Sequence, residues 1–224
     1  MSVLRLSVIV PALNEAAGIA ACLAALAPLR AAGHEVIVVD GGSEDATRAL
    51  AAPLADRVLE APRGRARQMN AGAAAASGDA LVFLHADTRL PPNADQLILE
   101  SLNVHSWGRF DVRIESTHPL LRVVARAMNL RSRLTGIATG DQAIFVRRAE
   151  FAGFPDIALM EDVAFSIAMK RRARPACLRE RVTTSGRRWE RHGVLRTVLQ
   201  MWRLRLAYFF GADPKELARQ YGYE

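Results

Sequence analysis

The chain has only two cysteines, Cys22 and Cys177, and they lie far apart in the sequence. Two unclustered thiols offer neither a zinc-ligand spacing nor a disulfide framework, and they point to a reduced, cytoplasmic setting. Lysine is as scarce: Lys170 and Lys215 stand alone among 30 basic residues. Aromatic residues make up 6% of the chain, too few for an evident base-stacking platform. No uncharged apolar segment reaches about 18 residues, which argues against a spanning helix. The amino terminus enters a strand pattern within a few residues and lacks the layout of a signal peptide.

What is present suits one domain with a sizeable core: 224 residues, half of them hydrophobic. The net charge of +7 is almost all arginine, in an alanine-rich chain of the kind GC-rich coding produces. A nucleic-acid partner is the usual reading of such a charge. Here no zinc-finger spacing, RNP-like aromatic strand or basic helix-turn-helix pattern supports it. Anionic phosphates and an acidic membrane surface use arginine equally well and rank ahead.

Three stretches share one design. The apolar run Val36 to Val39 stops at Asp40, followed by Gly41-Gly42-Ser43 and by Asp45, which can cap a helix from Ala46. Leu6 to Val10 runs into Pro11-Ala12-Leu13-Asn14-Glu15, where Asn14 can cap a helix continuing to about Ala32. Asp79 to Leu84 ends on His85-Ala86-Asp87-Thr88. Open α/β sheets hold ligands at the carboxyl ends of their strands. Any one corner reads as plain turn chemistry; three acids delivered towards one edge suggest a shared crevice.

With Gly64-Arg65-Ala66-Arg67-Gln68-Met69-Asn70-Ala71-Gly72 and Met160-Glu161-Asp162, these pieces resemble the family 2 glycosyltransferases in order and spacing. That family has the nucleotide-diphospho-sugar transferase fold called GT-A. The resemblance covers about residues 1 to 190. The short length, Thr139 to Phe145 and Arg187 to Glu190 also resemble a small bacterial subgroup, some of it associated with arsenosugar biosynthesis. The fold so implied is a single α/β domain, a mixed central sheet flanked by helices, over residues 1–190. Residues 191–224 form a C-terminal helical extension that packs on the domain or on a membrane surface. The implied activity is inverting, metal-dependent transfer of one sugar from a nucleotide-diphosphate sugar to the hydroxyl of a small or lipid-linked acceptor.

The resemblance also distributes roles. Asp87 matches the second acid of the family's Asp-x-Asp motif and is expected to hold Mn²⁺ or Mg²⁺. His85 replaces the first acid, as a donor contact, a second metal ligand or merely a histidine closing a strand. Asp40 is expected to recognise base or ribose beside a wall of Pro11, Asn14 and Glu15, with Gly42 allowing close approach of the ligand. Arg65 faces the donor, with Arg67 a competitor for that role, while Asn70 and Gly72 fix the helix beneath. The acceptor's base falls to the acidic pair, Asp162 ahead of Glu161, although helix-start preference explains one acid. Asp141 and Gln142 border the reaction centre. Arg188 and Trp189 can clamp phosphate and sugar, and Ser185, in place of a processive synthase's Gln, favours single transfer.

Between these motifs, Trp107 to Glu115 reads as a strand of alternating character. His118 to Leu134 reads as a helix with Leu120, Leu121, Val124 and Met128 on one face. The tail carries an apolar stripe from Val194 to Phe210 interleaved with Arg196, Arg203 and Arg205. Three fates fit it: packing on the domain, which is the default, a homodimer seam, or an anionic bilayer. Two other functions are weighed against transfer. One is a non-catalytic nucleotide-sugar-binding or membrane-associated scaffold. The other is a nucleotidyltransferase on a related fold, disfavoured because neither lysine lies in the donor region.

Overall fold

The computed structural model describes residues 4–222. Its centre is an eight-stranded sheet: β1 (Leu6–Ala12), β2 (Glu35–Asp40), β3 (Arg57–Glu60), β4 (Ala80–Phe83), β5 (Thr88–Arg89), β6 (Trp107–Glu115), β7 (Ile144–Arg147) and β8 (Ala176–Ser185). The spatial order is β3-β2-β1-β4-β7-β6-β8-β5. The first four are mutually parallel, β7 runs antiparallel to both β4 and β6, and β8 lies parallel to β6. This is the mixed α/β sheet expected from the motifs.

The continuous apolar runs of β1 and β2 follow from burial on both faces. Val8, Val10, Val36 and Val38 enter one core with helices α1 (Ile19–Ala25), α2 (Ala27–Ala31) and α5 (Ala94–Leu102). The alternate residues Ile9, Ile37 and Val39 enter the other with α4 (Arg65–Ala75) and α7 (Glu161–Lys170). Helix α4 crosses β1 so closely that a Cβ on Gly72 would lie 2.5 Å from Ile9 Cγ2. Asn70 pins α4 to the distant loop before α7, accepting from Phe154 N–H and donating to Phe154 O, both at 2.8 Å. The expected anchoring role of both residues is what the packing shows.

Several local expectations change. The helix after β1 begins only at Ile19, with Gly18 before it, and it breaks into α1 and α2. Asn14 is not a helix cap; it takes a left-handed turn conformation with φ of 53°. Helix α3 (Thr47–Ala51) does receive help from Asp45, whose Oδ1 accepts Thr47 N–H at 2.9 Å. Thr139 to Gln142 ends in a short 3-10 turn (Gly140–Gln142) instead of opening β7 directly. Strand β6 is not alternately solvated: Arg109 and Asp111 are buried, and Asp111 also takes Arg133 Nη2 at 2.7 Å. Helix α6 (Pro119–Thr135) turns Leu121, Ala125, Asn129 and Ser132 inward, while Leu120 is exposed.

Helices α8 (Arg187–His192), α9 (Val194–Phe209) and α10 (Pro214–Tyr221) complete the fold. The expected division at residue 190 falls inside α8. Helix α9 packs through Val194, Thr197 and Leu204, whereas Leu195, Leu199, Trp202, Leu206 and Phe209 of the expected apolar stripe face outward. Among the described residues no helix is long and apolar enough to cross a membrane.

Candidate active site

A cleft of about 670 Å³ opens over the carboxyl ends of the parallel strands. Its floor is made by the corners that follow β1 and β4, with the corner after β2 tied to the first of them from outside the cleft. After β1, Pro11 and Glu15 reach the cleft. Asn14 does not line it but ties two corners together: its N–H donates to Ser43 Oγ and its Oδ1 accepts Glu44 N–H, each at 2.9 Å. Glu15 pairs with Arg187 at 3.3 Å.

After β2, Asp40 is fully buried and its carboxylate is absorbed by its own turn. Oδ2 accepts Gly42 N–H at 3.0 Å and Ser43 N–H at 2.9 Å, and Ser43 Oγ donates to Oδ1. Neither Asp40 nor Gly42 lines the cleft, so their geometry is that of a rigid corner. Gln68, unremarked in the sequence, locks this corner to the next. Its Nε2 donates to Ala12 O and Val39 O at 2.8 Å each, joining α4 to the ends of β1 and β2.

Six ionisable groups converge on the cleft: Arg65, His85, Asp87, Asp141, Glu161 and Asp162. Arg65 opens α4 and lines the cleft, whereas Arg67 is held at its rim by Asp156 at 2.9 Å. His85 and Asp87 leave β4; Asp87 faces the cleft, and His85 Nδ1 lies 3.4 Å from Asp141 Oδ1. Gly140 is pressed against the same ring, and a Cβ there would overlap His85 Nε2. Asp162 Oδ2 accepts Gly140 N–H at 2.9 Å, and its Oδ1 accepts Val163 N–H at 2.7 Å. Gln142 is fully buried behind this turn, where its Oε1 accepts Thr139 N–H at 3.2 Å. It does not line the cleft.

The electrostatics divide the acids. Burial, and then the neighbouring Asp162 charge, push Glu161 up to about 7. Burial also raises Asp162, but the Gly140 and Val163 N–H groups and the Arg65 charge oppose the rise. Asp141 is lowered: desolvation resists its ionisation, but the His85 hydrogen bond and the charges of His85, Arg65 and Arg188 prevail. Arg131 of α6 lies behind the acids. Its Nε and Nη2 are buried without a hydrogen-bond partner, and its charge interacts with Asp162 and Asp141. Desolvation lowers its own pKa.

The far wall comes from the tail. Arg188 and Trp189 line the cleft, with the Arg188 guanidinium 3.6 Å over the Tyr221 ring and its Nη2 donating to Tyr221 O at 3.2 Å. Met201 and Arg205 of α9 and Lys215 of α10 also face inward. Sequence reading named Arg188 and Trp189 but missed Met201, Arg205 and Lys215, which reach the cleft through contacts between elements far apart in the chain.

A parallel four-stranded half that gathers acids at its carboxyl edge, extended by a mixed half under a shared cleft, defines the GT-A-like class of fold. Residues 7–154 match Glycosyl transferase family 2, and the chain belongs to that family. A PGL/p-HBAD biosynthesis glycosyltransferase of Mycobacterium tuberculosis is 40% identical over 91 residues, 38% of this chain and 36% of that protein. The chain thus matches about a third of the length of its curated relatives. Glucosyl-3-phosphoglycerate synthase from M. tuberculosis, solved with Mn²⁺, UDP and glucosyl-3-phosphoglycerate, aligns with a TM-score of 0.62 at 20% identity. It covers 80% of this chain and 70% of that one. S. aureus TarS with UDP-GlcNAc aligns at 0.66 and 19% identity, covering 81% and 58%. At these identities the two structures establish the fold.

Proposed function

We propose that the chain transfers one sugar from a nucleotide-diphosphate donor to an acceptor hydroxyl, with inversion at the anomeric carbon. The observation that carries the reading is the convergence of Arg65, His85, Asp87, Asp141, Glu161 and Asp162 on one cleft in a family 2 chain. UDP and UDP-GlcNAc in the neighbouring structures support a uridine nucleotide as the first donor to test.

A divalent cation fits the donor set. Among the described residues no group of three or more His, Cys, Asp or Glu is arranged to hold a metal. Mg²⁺ and Mn²⁺ in phosphate sites need only one or two protein carboxylates, with phosphates and water completing the shell. Asp87, with His85 beside it, would hold such an ion, and the ion would act as a Lewis acid on the departing diphosphate. Arg65 and Arg188 add fixed positive charge to the same cleft, suited to phosphate oxygens. Asp40, Gly42 and Asn14 serve by holding the donor corner rigid, and Pro11 and Glu15 supply its wall. Asp141 and Gln142 shape the turn on the sugar side, and Trp189 offers an apolar face to the sugar.

Asp162 acts as base on the acceptor hydroxyl. Two buried acids in sequence do not both ionise easily, and the two N–H donors select Asp162 as the charged member. Glu161 then remains protonated to higher pH. A single base in the cleft suits direct displacement. Residues 4–190 form the catalytic body and the tail helices form the roof over it. Two free cysteines support a reducing, cytoplasmic location.

Two lines of support point to different acceptors. The motifs at Thr139–Phe145 and Arg187–Glu190 resemble the arsenosugar-associated subgroup, whereas the mycobacterial relatives carry PGL/p-HBAD names. The test is a panel of nucleotide sugars screened for Mn²⁺-dependent thermal stabilisation, followed by turnover with candidate acceptors. Stabilisation by one donor together with its metal is expected. No stabilisation by any nucleotide sugar, with or without metal, would reject the proposal. Binding without turnover on any acceptor would favour the scaffold reading, and pyrophosphate release from a nucleoside triphosphate would favour a nucleotidyltransferase.

A further inference from the structure

Helix α9 has two faces of opposite use. Thr197 and Leu204 are buried against the domain, and Met201 and Arg205 line the cleft. On the opposite side Leu195, Leu199, Trp202, Leu206 and Phe209 follow one another at spacings of four and three, forming a single stripe. They are 69%, 70%, 74%, 60% and 81% exposed, and Phe210, just past the helix, is 78% exposed. Large apolar side chains scattered singly on a surface need no explanation; a continuous row of six marks a contact surface.

Charge selects the occupant. The helix contains Arg196, Arg203 and Arg205 and no acidic residue. Arg196 and Arg203 are exposed, on the same flank of the stripe. A second copy of the chain would bring arginine against arginine along a self-complementary seam, with no acid on either helix to compensate. An anionic bilayer reverses that sign. Leucine and phenylalanine enter the acyl boundary, tryptophan sits at the headgroup level, and arginines on the flank meet the phosphates.

We propose that α9 docks this protein on an anionic membrane surface, through Leu195, Leu199, Trp202, Leu206, Phe209 and Phe210 with Arg196 and Arg203. Because the inner face of the same helix walls the cleft, docking sets the cleft beside the headgroups, where a membrane-borne hydroxyl can enter. The acceptor class is therefore a lipid-linked one; this second part rests on the glycosyl-transfer reading, whereas the docking does not.

The experiment uses the full chain and two vesicle preparations, phosphatidylcholine alone and phosphatidylcholine mixed with an equal part of phosphatidylglycerol. Co-sedimentation should favour the anionic vesicles and weaken as salt is raised. Tryptophan emission should shift to the blue in the parent and not in Trp202→Phe, a comparison that separates Trp202 from the half-buried Trp189, Trp107 being already buried in the free protein. The combined change Leu199→Ser, Trp202→Ser and Phe209→Ser should abolish binding. These side chains are exposed, so circular dichroism should match the parent. Arg196→Gln and Arg203→Gln keep the question answerable if that variant misfolds, each lowering anionic-vesicle affinity about fivefold. Absence of binding to anionic vesicles, binding unchanged in the variants, or a concentration-dependent dimer abolished by the serine changes would overturn the docking. UDP with Mn²⁺ is titrated in parallel. Nucleotide binding without vesicle binding defeats the membrane surface alone, and vesicle binding without nucleotide binding defeats the transferase reading alone. With both intact, equal turnover on water-soluble and vesicle-borne acceptors would remove the lipid-linked assignment.

Discussion

The backbone N–H of Gly140 donates to Asp162 Oδ2 at 2.9 Å, linking the turn that carries Asp141 to the start of α7. The same glycine lies flat against His85, so one position sets three of the polar groups facing the cleft.

Gly140→Ala is expected to push His85 aside or lift the turn away from Asp162. Overpacking of this kind costs about 1–3 kcal/mol of stability. Transfer should fall about a hundredfold, the usual penalty for roughly an ångström of misplacement. Thermal melts and steady-state rates on the same preparation check both; a fully active Ala variant would detach this turn from the reaction.

Asp162→Asn should retain donor and metal binding yet lose transfer by roughly two to four orders of magnitude. Glu161→Gln keeps the form that Glu161 already prefers and should lose far less. Rates for the two single variants decide the assignment, and the reverse ranking would make Glu161 the base.

Glu161 also leaves a mark on stability. Its pKa is raised from 4.5 to about 7 in the folded chain, so the folded state holds this proton more tightly than the unfolded one. Its contribution is present at low pH and is lost as pH rises through 7. Melting curves of parent and Glu161→Gln from acid to pH 8 should diverge, the Gln variant gaining relative stability towards the alkaline end. Parallel curves would contradict the assignment.

Arg131→Met should shift the acid limb of the pH–rate profile upward, because it removes positive charge that favours the Asp162 carboxylate. Arg131→Lys should restore much of the original limb. A role confined to packing would lower stability and leave the profile where it is.

Burial, aided by the negative charges of Asp87 and Glu15, pushes the Cys22 thiol up to about 12. Native alkylation at pH 8 should therefore spare Cys22 until the chain is unfolded. Mass spectrometry after a timed iodoacetamide pulse reads this directly; rapid native labelling of Cys22 would show that the β1 side of the cleft opens.

The three strand ends were legible because each is an apolar run stopped by a proline, an aspartate or a histidine, and strand burial leaves little else such a run can do. Asn14 was misread because asparagine serves two geometries, helix cap and left-handed turn, and only the partners Ser43 and Glu44 decide between them. Asp40 shows the same ambiguity: a carboxylate after a strand can greet a ligand or bind its own turn. Gln68 and Arg131 carried no local signal, one lying within a helix and the other in an arginine-rich one. Periodicity located the stripe on α9, but not its direction. Thr197 and Leu204 take the inward side because the roof needs that face.

The clasp between Arg188 and Tyr221 also sets a timetable. Every strand of the sheet precedes Tyr221 in the chain, and so is synthesised before the ring that the clasp needs. A nascent chain therefore gathers its acids before the Arg188–Tyr221 clasp can close the far wall of the cleft over them.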